Sequence, residues 1–258
     1  MILLENSLKE HFKYSNTIMK IDLSKFYLHE KPYLSDSELF WLIHSLKQEK
    51  IIKEIETDIY QLIPNLKTTH APKIESRMLA IVQDLGKLLG LTDYCIWASD
   101  WFNPFMVHQV IRRFILIEVE QDAAEPVFNA LRDNHYKDTF LMLHKSDELM
   151  LERYVFEAQE AIIVKKIISK SPIQKVIAEN TTIKTPKLEK MLVDLFCEEQ
   201  LFLAYKDYEQ QNIFGNALTQ HEINFKTLFS YAERRKKETQ LREYLFRHFE
   251  LILKKITI

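Results

Sequence analysis

Ser37, Trp41, His44 and Gln48, with Lys47 at their edge, share one face when residues 37–48 are placed on a helical wheel. A hydroxyl, an imidazole, a carboxamide and an ammonium at that spacing are groups that read base edges in a major groove. Trp41 also suits a different chemistry, because exposed Trp often anchors protein–protein contacts. Near the other end, Arg234-Arg235-Lys236-Lys237 with Arg242, Arg247, Lys254 and Lys255 leaves nine bases against four acids over residues 226–258. Arg234 and Arg235 are candidates for phosphate contact there, against the more ordinary use of such a run as a solvated helix face. A third set is acidic. Asp100, Glu118 and Glu120 stand at or near strand ends and would serve a metal-assisted phosphoryl reaction only if they converged on one ion. Glu118-Val119-Glu120 lacks the lysine of a restriction-type acid-x-Lys pair, and no Gly-Ser turn precedes these acids, so solvated strand-end carboxylates are the favoured reading.

The elements that must hold the first set are plain in the sequence. Ser35 and Glu38 form a capping box at a helix start. Leu39, Leu42, Ile43 and Leu46 then give one apolar stripe. Residues 51–55 and 59–63 are rich in β-branched side chains and closely spaced around Glu56-Thr57-Asp58, which predicts a hairpin. Leu3, Leu4, Leu8 and Phe12 mark a short helix before them, Ile18-Met19-Lys20-Ile21 a brief strand, and Asp22 onward a second helix closed before Pro32. This succession predicts a winged helix-turn-helix over residues 1–66, with double-stranded DNA as the partner. Charge opposes that function: between residues 31 and 63 four bases face six acids, and phosphate contacts dominate DNA affinity.

Residues 64–72 carry two prolines and no apolar period, as a linker does. Beyond it, residues 73–258 alternate helices and strands. The predicted strands are 94–98, 114–120, 139–143 and 161–164; the predicted helices are 79–89, 105–113 and 125–131. From Pro186 the pattern is helical to the end, with Thr185 as N-cap and Pro186 at N1. The fold class expected is therefore α+β: an N-terminal winged helix-turn-helix, then a larger mixed α/β domain ending in a helical C-terminal region.

Composition narrows the chemistry further. The 258 residues carry a net charge of −2, which gives no global attraction to nucleic acid or an anionic membrane. Only three glycines occur, Gly86, Gly90 and Gly215, too few and too scattered for a phosphate-cradling loop. The nine histidines and two cysteines show no zinc-ligand spacing, and no Ser or Cys sits in a nucleophile elbow. Cys95 and Cys197 read as buried reduced thiols. No cofactor, metal or catalytic residue is expected. With no signal segment or membrane-length apolar run, the expected location is cytoplasmic.

Two stretches carry a family resemblance. Ser37-Glu38-Leu39-Phe40-Trp41-Leu42-Ile43-His44-Ser45-Leu46-Lys47, followed by Ile51-Ile52-Lys53 and Ile59-Tyr60-Gln61-Leu62, resembles the N-terminal winged helix of AbiEi-type antitoxin regulators. Residues 185–196 and then Leu228-Phe229-Ser230-Tyr231-Ala232-Glu233-Arg234-Arg235 resemble that family's C-terminal domain. The resemblance implies a regulator that binds operator DNA, autorepresses its operon in abortive infection, and opposes a nucleotidyltransferase-like toxin. DNA contact would then fall to Ser37, Trp41, His44, Lys47, Gln48, Lys53, Arg234 and Arg235. The sequence departs from the family pattern at Lys50, where a helix-ending Gly is usual, and at Glu56-Thr57-Asp58, which replaces a basic wing tip. Two other readings remain open: a protein-interaction module on a winged helix that does not bind DNA, and a divergent metal-dependent nucleic-acid enzyme.

Overall fold

The computed structural model describes residues 7–8, 11–12, 15, 17–30, 33–48, 51–63, 67–144, 154–155 and 157–256. The chain divides into two units, Met1–Lys67 and Thr68–Ile258.

In the first unit the described elements are β1 (Ile18–Met19), α1 (Lys20–Glu30), α2 (Asp36–Gln48), β2 (Ile52–Glu56) and β3 (Ile59–Leu62). Leu3 and Leu4 of the expected first helix lie outside the described residues; Leu8 and Phe12 are buried. The hairpin strands β2 and β3 pair antiparallel, and β1 adds to the far side of β3 through Ile18 opposite Tyr60. The tip needs a left-handed residue, and Asp58 supplies it at φ 60°.

The start of α2 is set by the capping box. The Glu38 backbone N–H donates to Ser35 Oγ at 3.3 Å, and the Ser35 N–H donates to Glu38 Oε2 at 2.9 Å. This phase turns Leu39, Ile43 and Leu46 inward onto Ile18, Leu23, Tyr27, Ile52 and Tyr60.

The second unit is built on a four-stranded sheet in the order β4 (Tyr94–Ala98), β5 (Arg113–Val119), β7 (Glu160–Lys166), β6 (Thr139–Met142). Strand β4 is antiparallel to β5, whereas β7 runs parallel to both β5 and β6. Strand β4 and the centres of β5 and β7 are nearly all apolar because both sheet faces are covered there. Helix α3 (Ser76–Asp84) and the short α4 (Gly86–Leu89) precede the sheet, and α5 (Gln121–Asp133) packs on β5, β6 and β7. Strands β8 (Ile173–Ala178) and β9 (Thr181–Pro186) form a separate hairpin laid against β4. Helices α6 (Leu188–Cys197), α7 (Tyr208–Gln220), α8 (Phe225–Arg234) and α9 (Glu238–Ile256) complete the unit.

Several expectations need correction. Residues 107–112 are not helical. A 3-10 segment, Ser99–Phe105, leads to an irregular stretch whose Val107 and His108 N–H groups both donate to the Glu209 carboxylate at 3.0 Å. The Glu209 carboxylate thus satisfies two backbone donors of the irregular stretch. Thr185 and Pro186 belong to β9 rather than to a helix start, and α6 opens at Leu188 after Lys187. The expected helix 79–89 is broken at Leu85, and α5 begins at Gln121, a turn earlier than residue 125. The stretch taken as a linker is built into the second unit from Thr68: its N–H donates to the Gln220 carbonyl, and its own carbonyl accepts from the Glu222 N–H. Among the described residues, no helix is long and apolar enough to cross a membrane.

Ser35→Ala is expected to lower the stability of the first unit by about 1 kcal/mol, the usual worth of an N-cap hydroxyl. Hydrogen exchange of the α2 amides across a urea series measures it; unchanged protection of the first turn contradicts the capping role.

Candidate functional site

Helix α2 turns its stripe inward and leaves Ser37, Trp41, His44 and Gln48 on the solvent side, the face expected from their spacing. Phe40 joins them, unforeseen, because it lies one residue off the stripe. Phe40 is 61 % exposed and Trp41 66 %, so neither is held by the core. The Phe40 and His44 rings stack at 6.5 Å and 16°, and Trp41 meets both edge-on at 5.9 and 5.8 Å. A groove of about 340 Å³ runs beside this cluster, lined by Lys20, Phe40, Ile43, His44, Lys47, Glu54, Asp58 and Tyr60.

The groove's charges are paired among themselves. Lys47 Nζ donates to Glu54 Oε2 at 2.5 Å, tying the end of α2 to β2. This hydrogen bond raises the Lys47 pKa above its ordinary value and lowers that of Glu54. Lys20 stands 3.7 Å from Asp58. Lys53 is exposed on β2, beside Glu54 and Glu56. The arrangement offers hydrogen-bonding groups and flat aromatic faces, with little uncommitted positive charge.

The remaining candidates lie in the second unit. Arg234 is exposed, one of its nitrogens donating to the Ser230 carbonyl at 3.4 Å. Arg235 is a correction to the sequence reading. Its guanidinium is committed to Asp194 at 2.8 Å and Glu198 at 2.6 Å, and its side chain is only 13 % exposed. It is a tether within the unit, not a free phosphate contact.

The acidic set is also redistributed. Glu118 is buried, not solvated: it accepts from Trp97 Nε1 at 2.9 Å and from Lys190 Nζ at 2.6 Å. Lys190, fully buried on α6, also donates to Asp194 at 2.5 Å. Asp194 in turn accepts from Tyr231 Oη and Arg235, and Glu198 closes the chain between Arg235 and Lys165. Burial opposes charge on Lys190, but Asp194 and Glu118 outweigh it and hold the ammonium well above its usual pKa. Burial likewise pushes the Tyr231 hydroxyl up, so it remains a donor. This is a neutral, closed network of three cations and three carboxylates with two neutral donors, joining β4, β5, β7, α6 and α8.

Asp100 sits at the other end of the sheet. It binds Arg113 at 3.0 Å, and Arg113 also meets Glu75 and Glu160. Glu120 is exposed and accepts from Thr92 Oγ1 at 2.8 Å. The three acids are therefore not brought together, and among the described residues no group of three metal-ligating side chains stands in reach of one ion. Of the two thiols, neither in a disulfide, Cys95 is buried and Cys197 half-buried.

A family model described as "Family of unknown function (DUF6577)" matches residues 38–250. The chain belongs to this family. A comparison with curated proteins finds no match. The DUF6577 match begins at Glu38, the capping residue of α2, and continues through the hairpin and nearly all of the second unit. Trp41, His44 and Gln48 of the exposed α2 face and the buried network thus lie within one family span, with Ser37 just before it.

Two expectations follow for the network. Lys190→Met leaves Glu118 and Asp194 buried without their shared cation and should cost about 3–5 kcal/mol; a loss under about 1 kcal/mol by urea unfolding contradicts the central place given to Lys190. Glu198 is pushed up by burial, yet Lys165 and Arg235 hold its pKa at about 2, below the ordinary 4.5. A depressed native pKa gives stability that is complete above pH 4.5 and lost as pH falls toward 2. Glu198→Gln should therefore flatten the acid limb of the stability profile within that window, and an unchanged limb counts against the pairing.

Proposed function

We propose that this chain is a DNA-binding transcriptional regulator resembling AbiEi-type antitoxins, in which the first unit acts as a winged helix-turn-helix. The observation that carries the reading is the connectivity of that unit. Helix α1, capped helix α2 and the β2–β3 hairpin follow in order, β1 completes a three-stranded sheet on β3, and α2 keeps Ser37, Trp41, His44 and Gln48 outward. In this reading α2 is the recognition helix and β2–β3 the wing. His44 and Gln48 meet base edges, Ser37 meets a phosphate or base at the helix start, and Lys53 and Arg234 supply backbone contacts. The regulator autorepresses its own operon and opposes a nucleotidyltransferase-like toxin through the second unit.

The exposed Phe40–Trp41–His44 cluster favours a second reading, in which the same face docks a protein. Exposed aromatic area of this kind suits an interface anchor.

Fluorescence polarisation with a duplex from the region upstream of the chain's own gene separates the two. The regulator reading expects binding that weakens linearly in log salt, and a loss of roughly 10- to 100-fold for His44→Ala combined with Gln48→Ala. Absence of binding at low salt, with partner capture abolished by Trp41→Ala, would transfer the face to the docking reading.

A further inference from the structure

Lys47 is the one lysine or arginine of α2. It lies on the edge of the face assigned above to DNA, yet its ammonium is already held by Glu54 at 2.5 Å, across the groove from helix to hairpin. The other lysine lining that groove, Lys20, faces Asp58. Each base that could meet a phosphate from the groove thus has a hairpin carboxylate where the phosphate oxygen would lie. A carboxylate and a phosphodiester offer an ammonium the same chemistry, an anionic oxygen pair accepting a charge-assisted hydrogen bond.

We propose that Glu54 is a built-in phosphate mimic that masks Lys47, so that a duplex engages this lysine only by displacing the carboxylate. The proposal rests on the regulator reading and adds a device to it. A phosphate reaching Lys47 gains one ion pair and breaks another, so the general attraction of DNA is nearly cancelled at this position. What remains is the base-edge contact of His44 and Gln48. The mask thereby suppresses binding to arbitrary sequence more than binding to the correct site, where base contacts hold the backbone close enough to exchange with Glu54. Glu56 on the same hairpin repels phosphates without holding a base of α2, which separates masking from simple repulsion.

The test measures duplex affinity across a salt series for the full chain and three variants. Glu54→Gln frees Lys47 and should raise affinity roughly three- to ten-fold at low salt, steepening the log–log salt slope by about 0.9, the increment for one added phosphate contact. Glu56→Gln removes the same charge and should raise affinity less, with no change of slope. Lys47→Gln combined with Glu54→Gln should return the native slope. If the native chain binds and Glu54→Gln behaves as Glu56→Gln does, the mask is overturned while the regulator reading stands. If neither the native chain nor any variant binds, both fall together.

Discussion

The Lys190 ammonium between Glu118 and Asp194 is the contact on which the second unit depends. An unpaired ammonium costs several kcal/mol to bury, so α6 can lie on the sheet only where Glu118 meets it. That requirement fixes the helix against β5 in register as well as in distance, because a shift of one residue would turn Glu118 to the opposite face. Asp194, one turn further along α6, passes the constraint to Tyr231 on α8 and to Arg235 at its C-terminal end, and Glu198 passes it to Lys165 on β7. Apolar burial supplies the drive for packing here, while the charged chain selects one arrangement among many that would bury similar area. Each carboxylate and each cation of the network is committed to a partner.

The first unit is organised by a smaller device with a more open outcome. The Ser35–Glu38 box fixes where α2 begins, and hence which residues face water. What it leaves outward is unusual for a face meant to meet phosphates: three adjacent rings, one lysine already paired, and an acidic tip at Glu56 and Asp58. If it meets DNA as proposed, such a face would gain little from general electrostatic attraction and would draw its affinity from directed contacts. In the proposed regulator, weak attraction to arbitrary duplex and dependence on base contacts would be two consequences of the same side chains.

Local patterns were readable where local forces decide. The capping box, the stripe of α2, the hairpin and strands β4, β5, β6 and β7 follow from spacing and β-branched content within a few residues. What was hidden depends on partners far along the chain. Lys190 and Asp194 look like the polar side of an amphipathic helix, since nothing near them announces Glu118, 72 residues away. Arg235 looks like part of a basic run for the same reason. The β8–β9 hairpin escaped because its two left-handed turn residues are Glu179 and Asn180 rather than the usual Asn-Gly; Asn180 beside Thr181-Thr182-Ile183 was the signal available. Met106, Gln109, Val110 and Arg113 have helical spacing, but the Glu209 carboxylate claims the amides of Val107 and His108.

In the proposed regulator, α2 and its hairpin meet duplex DNA. An amide NMR titration of the full chain with its own upstream duplex tests this most directly. Shifts are expected to concentrate at Ser37, Trp41, His44, Lys47 and Gln48 and along β2, with the amides around Lys190 unmoved. Shifts confined to the second unit, or none at saturating duplex, would contradict it.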